Sequence, residues 1–192
     1  MGIELKQTQV TDQNRDQFYK KVYPHQLSLK QQLINIDQFD TKNVVAIDCC
    51  GWYYRDLFLE KNVLSVDPIK AALEFKLSKD KIYKLVDDRV DGTLAWPKID
   101  VTDCTVLFDR SPILKYKTLD ELTSIFDAVV ETYQPKYLAV KLNTVFIDSN
   151  RLTDRFYDLA SIRVKNSVIE EFCYNTRSDQ LYICFAKCYD TN

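Results

Sequence analysis

Carboxylates close three successive apolar runs of the chain. Val44–Asp48 ("VVAID"), Val63–Asp67 ("VLSVD") and Ile82–Val86 followed by Asp87 and Asp88 each read as a buried strand ending in acid. Asp67 follows Asp48 by 19 residues. An acid at a second strand end, about 20 residues beyond the first turn, can accept hydrogen bonds from both ribose hydroxyls of a nucleoside cofactor. Asp87 or Asp88 would then face an adenine amino group. Each acid also suits a plain turn, because Asp hydrogen-bonds its own backbone there. Three in a row on consecutive strands favour the cofactor. The first turn, "CCG", carries Gly51 and leads into Trp52. The chain has only three glycines, so Gly51 marks a place where the backbone turns tightly or meets a neighbour closely.

These ends must be positioned by a sheet. Cys104–Asp109 ("CTVLFD") and Tyr137–Leu142 ("YLAVKL") read as a fourth and fifth strand, and Val168–Tyr174 and Leu181–Cys188 as two more. Helices are expected over Trp52–Lys61, Ile69–Leu77 and residues 150–163. The clearest spans Leu119 to Tyr133, with Leu122, Ile125, Phe126 and Val129 on one face. Strands alternating with helices imply a parallel sheet covered on both faces. The last two strands are joined by about six polar residues, which is hairpin length. The final strand therefore runs antiparallel, and its apolar residues on both faces place it inside the sheet. Residues 1–43 are read as a helical N-terminal extension and residues 44–192 as the main domain.

Composition narrows the function. Hydrophobic content of 46% with 28% charged residues suits a folded globular domain, and no apolar run reaches the roughly 20 residues of a membrane span. The N-terminal residues do not read as a secretory signal, so a cytoplasmic setting with reduced thiols is expected for the six cysteines. With one histidine and no C-x-x-C pair, a zinc site is not expected. Formal net charge is −2, which leaves nucleic acid only a local basic patch. The strip Lys115–Lys117 ("KYK") with Arg110 is the candidate, although a solvated loop is the reading its composition favours. No G-x-G-x-x-G exists to support a dehydrogenase.

The order of elements, the terminal hairpin, the Asp48 and Asp67 strand ends and the "LFD" strand resemble the class I S-adenosylmethionine-dependent methyltransferases. The likeness covers most of residues 30–188. Within that superfamily the chain is most similar to FtsJ-like RNA ribose 2′-O-methyltransferases. Their Lys–Asp–Lys–Glu tetrad falls on Lys30 in "SLKQQL", on Asp109 in the D-x-x-P of "FDRSP", on Lys141 in "LAVKLN", and on Gln180 where the family has Glu. Trp52 matches the aromatic of the family's "GGW". The resemblance implies a Rossmann-like methyltransferase fold: an α/β domain with a seven-stranded, mostly parallel sheet, an antiparallel last strand and helices on both faces. It also implies S-adenosylmethionine as cofactor, held by Asp48, Gly51, Trp52, Asp67, Asp87 and Asp88. Lys141 would be the base for a ribose hydroxyl, with Lys30 and Asp109 orienting it. Two departures stand against the family pattern: the turn is about four residues shorter, and Gln180 carries no charge. They keep open a catalytically inactive protein of the same fold with a binding or structural role. The low net charge keeps open a small-molecule methyltransferase.

Overall fold

The computed structural model describes residues 30–49, 51–68, 82–88, 93–143, 161–175 and 180–188. The chain divides into two units, Met1–Asn35 and Ile36–Asn192. In the first, residues 30–32 are helical. The second contains an eight-stranded sheet: β1 (Asn43–Ile47), β2 (Asn62–Pro68), β3 (Ile82–Asp88), β4 (Thr93–Ala95), β5 (Cys104–Asp109), β6 (Tyr137–Asn143), β7 (Ser167–Asn175) and β8 (Gln180–Lys187).

The strand order is β4-β3-β2-β1-β5-β6-β8-β7. Pairs β1–β2, β1–β5, β2–β3 and β5–β6 are parallel. β8 lies between β6 and β7 and is antiparallel to both. This is the mostly parallel, Rossmann-like α/β arrangement with an antiparallel last strand that was expected from the sequence, with one addition: β4 pairs antiparallel with the end of β3, so the sheet has eight strands rather than seven. Three residues are too short a run for alternation to reveal.

The central strands consist of apolar and β-branched residues because both their faces are covered. All six residues of β5 are buried. On one face, Val45, Ile47, Val106, Phe108, Leu138, Val140, Ile183 and Phe185 form a single core with Leu122, Ile125, Phe126 and Val129 of α2 (Leu119–Tyr133). α2 begins at a capping box, in which Glu121 N donates to Thr118 Oγ1 and Thr118 N donates to Glu121 Oε2. It ends at Gln134 in a left-handed conformation, just before Pro135. α1 (Gly51–Leu57) covers the other face. It is shorter than the expected Trp52–Lys61, because Lys61 turns away to donate to Phe39 O at 2.5 Å and Thr41 O at 2.6 Å. The helix expected over Ile69–Leu77 lies outside the described residues, as does most of that over 150–163. Residues 161–164 are a turn and extended chain, with Ile162 and Val164 in the core.

Candidate functional site

Strand order reverses at β1, whose neighbours are β2 on one side and β5 on the other. In open α/β sheets ligands bind beyond the carboxyl ends of the strands at such a switch point. Successive strand residues alternate between faces. Asp67, Asp109 and Lys141 therefore lie on the face that α1 covers, opposite the Phe108 and Val140 core.

Asp48 follows β1 with φ of 45°, a left-handed conformation that Asp tolerates better than most residues. Its carboxylate is already engaged: Ile113 N donates to Oδ2 at 2.9 Å. Beside it, Ser111 Oγ donates to Ile47 O at 2.7 Å. The turn after β5 is thus stitched to the end of β1. Gly51 opens α1 against the sheet. A Cβ there would sit 2.4 Å from Ser65 Oγ and 3.1 Å from Ala46 Cβ. Gly51 is therefore required for close helix–strand packing. The backbone of Trp52 lies in the first turn of α1.

Asp67, near the end of β2, is 5% exposed. Burial pushes its carboxyl up to about 6, and the charge of Arg55 offsets this only in part. Among the described residues no hydrogen bond reaches its carboxylate. Asp87 and Asp88 are the last residues of β3, and both are paired with β4, opposite Leu94 and Thr93. They therefore belong to a strand and not to the turn beyond it.

Register brings together two members of the expected tetrad. Asp109 is opposite Lys141 in the β5–β6 pair. Lys141 is opposite Tyr182 on β8, and Gln180 is opposite Asn143. Gln180 is thus on the same face as Lys141, one alternate position along β8. Lys141 is half-buried. Desolvation lowers its pKa, Asp109 works against that, and Arg110 adds to it. Asp109 accepts Arg110 Nε at Oδ1, 2.8 Å away, and a short hydrogen bond from Tyr54 Oη at Oδ2. Tyr182 Oη accepts from Gln38 Nε2 at 3.4 Å, and burial raises its pKa. Lys30 belongs to the first unit, where it is exposed on the helical turn. Sequence reasoning missed Tyr54 and Tyr182. Helical spacing from Gly51 to Tyr54 and Phe58 marks Tyr54 as inward-facing, but nothing in sequence links it to Asp109.

No family model and no curated protein matches the chain. Solved structures do resemble it. One is from Pyrococcus horikoshii, provisionally described as an RNA methyltransferase: 11% identical, covering 88% of this chain and 82% of its own, with a TM-score of 0.41. A protein of the NADB-Rossmann superfamily from Streptococcus agalactiae is 12% identical over 87% of this chain and 69% of its own, with a TM-score of 0.41. A chain from the complex of the Haloferax volcanii Trm112 methyltransferase activator with a provisionally described methyltransferase is 12% identical. It covers 93% of this chain and 95% of its own, with a TM-score of 0.47. Among the described residues no helix is long and apolar enough to cross a membrane.

Proposed function

We propose that the chain is an S-adenosylmethionine-dependent methyltransferase of the FtsJ-like kind, acting on a ribose 2′-hydroxyl of RNA with Lys141 as base. The observation that carries this is the half-buried Lys141 opposite Asp109, on the sheet face that also holds Asp67. The cofactor fits the residues present. Asp67 is a buried carboxylate short of donors, and two vicinal ribose hydroxyls are what such a group would take. Gly51, Trp52 and the β3 end at Asp87 and Asp88 would frame the remainder. When bound, the cofactor supplies an electrophilic methyl group. Lys141 Nζ takes the hydroxyl proton, and its lowered pKa gives it a larger neutral fraction near pH 7 than an exposed lysine has. Asp109 orients the amine and balances the charge it gains. Holding the hydroxyl in line supplies much of the remaining rate. Substrate RNA would meet the strip after β5, where Tyr116 is 75% exposed between Lys115 and Lys117. An aromatic flanked by lysines suits an unpaired base and its phosphates.

The test is transfer of labelled methyl groups to short RNAs, followed by alkaline hydrolysis. Label at a linkage resistant to alkali supports the proposal. Label on nucleosides or small alcohols alone moves the chain to the small-molecule methyltransferases. A second reading, an inactive protein of the same fold, rests on three features: Ile113 N occupies Asp48, Tyr54 and Arg110 occupy Asp109, and Gln180 stands where the family has an acid. Cofactor binding without transfer to any acceptor would favour it.

A further inference from the structure

Tyr54 is fully buried on the inner side of α1, stacked on Phe58 with ring centroids 5.7 Å apart. Packing fixes the ring, so the hydroxyl arrives at one place: Asp109 Oδ2, on a residue 55 positions away in sequence. The second oxygen, Oδ1, accepts Arg110 Nε at 2.8 Å. Arg110 is itself anchored, because its amide donates to Lys141 O at 2.8 Å. The Asp109 side chain is 1% exposed. A buried carboxylate with a separate donor on each oxygen has one orientation. With one donor removed it can rotate toward the amine across the β5–β6 pair.

We propose that Tyr54 is a positioning residue for the Asp109–Lys141 pair: its phenol fixes the Asp109 carboxylate and so sets how tightly that carboxylate holds the Lys141 amine. The catalytic consequence rests on the reading of Lys141 as base, but the clamp itself does not. Among the described residues, those that bear on Lys141 include Asp109, which favours the ammonium, Arg110, which opposes it, and Tyr182, opposite it on β8. Tyr54 acts from α1 through Asp109.

Competitive acylation of lysines across pH, read by mass spectrometry, follows Lys141 without any need for activity. In Tyr54→Phe the freed carboxylate holds the ammonium more firmly, and labelling of Lys141 near pH 8 falls about threefold, the effect of roughly half a pK unit. In an Asp109→Asn background the same substitution changes nothing further, as residues acting through one another must behave. An unchanged Lys141 profile, or an equal change in both backgrounds, overturns the proposal. Should Tyr54→Phe fail to fold, the wild-type protein still decides it. A downfield, slowly exchanging phenol proton in its NMR spectrum, lost in Asp109→Asn, is expected, and its absence from the wild type is contrary. In methyl transfer, Tyr54→Phe lowers kcat about threefold near neutral pH, moves the acid limb of its pH profile upward and leaves cofactor affinity unchanged. A labelling shift with no transfer by the wild type sinks the functional reading and leaves the clamp. An active wild type with unshifted labelling sinks the clamp alone.

Discussion

The two halves of the candidate site differ in how their polar groups are satisfied. At the β5–β6–β8 end, Asp109 has a donor on each oxygen, Lys141 lies opposite it in register, and Tyr182 is tied to Gln38. At the β2 end, Asp67 is as deeply buried as Asp109, yet no described residue donates to it. Burying a carboxylate without donors is costly, and the protein meets that cost by raising the pKa of the group. On the proposed reading the half around Lys141 is organised by the chain itself, whereas the carboxylate of Asp67 has no donor among the described residues and would take them from a nucleoside ligand. If the proposed function holds, the contrast separates pre-formed machinery from a ligand seat, and substitutions in each half should give opposite signatures.

The largest effect is expected at Lys141. Lys141→Met should lower single-turnover methyl transfer by roughly 10²- to 10⁴-fold, the usual worth of a general base. Cofactor affinity by calorimetry should be unchanged. Comparable losses in both would dissolve the distinction between the halves. Asp67→Asn should do the reverse, weakening cofactor binding by about 10- to 100-fold, since hydrogen bonds to a charged acceptor are worth about 1.5–3 kcal/mol. The ligand-free variant should be more stable at pH 7, by on the order of 2 kcal/mol, because the raised pKa disfavours the ionised form. The sign in pH follows. A carboxyl whose folded pKa, about 6, exceeds its ordinary value of 3.8 stabilises the fold fully below the lower value and loses that contribution as pH rises through the higher. Urea unfolding at pH 4.5 and pH 7 should show this difference in the wild type and not in Asp67→Asn.

Gly51→Ala should destabilise by about 1–3 kcal/mol, the range for overpacking, and Ser65→Ala should relieve part of it by removing the oxygen that the new Cβ meets. Equal melting temperatures for wild type and Gly51→Ala would remove Gly51 as the point of close packing between α1 and the sheet. The smallest effect is expected for Gln180→Glu. One alternate strand position from Tyr182, about 7 Å away, a new charge should change kcat by only two- to fivefold through solvent-screened attraction to Lys141. A tenfold or greater gain would mean that the β8 end is less complete than its register suggests.

Much of the sheet was legible in the sequence, because strands buried on both faces write themselves as unbroken apolar runs. The seven expected strands fall within two residues of their observed bounds, and the inward position of β8 followed from its two apolar faces. β4 was hidden because three residues have no period. The end of α1 was hidden because Lys61 is captured by carbonyls from Phe39 and Thr41, far from it in sequence. In the site, the association of Asp109 with Lys141 was implied by the resemblance to the FtsJ-like tetrad, and the β5–β6 register sets the two opposite each other. The engagement of Asp48 by Ile113 N and of Asp109 by Tyr54 depends on side chains crossing between β1, α1 and β5, and no local pattern records such crossings. The missing donors of Asp67 are a property of three-dimensional burial, which spacing cannot show.

The central claim is that Asp67 receives an adenosine-bearing ligand in its ionised form, and calorimetric titration of the wild-type protein with S-adenosylmethionine at pH 7.5 and pH 5.0 tests it most directly. The account predicts saturable binding at the higher pH and about tenfold weaker binding one unit below the raised pKa, where roughly a tenth of the carboxylate is ionised. No heat at millimolar ligand, or equal affinity at both pH values, would contradict it.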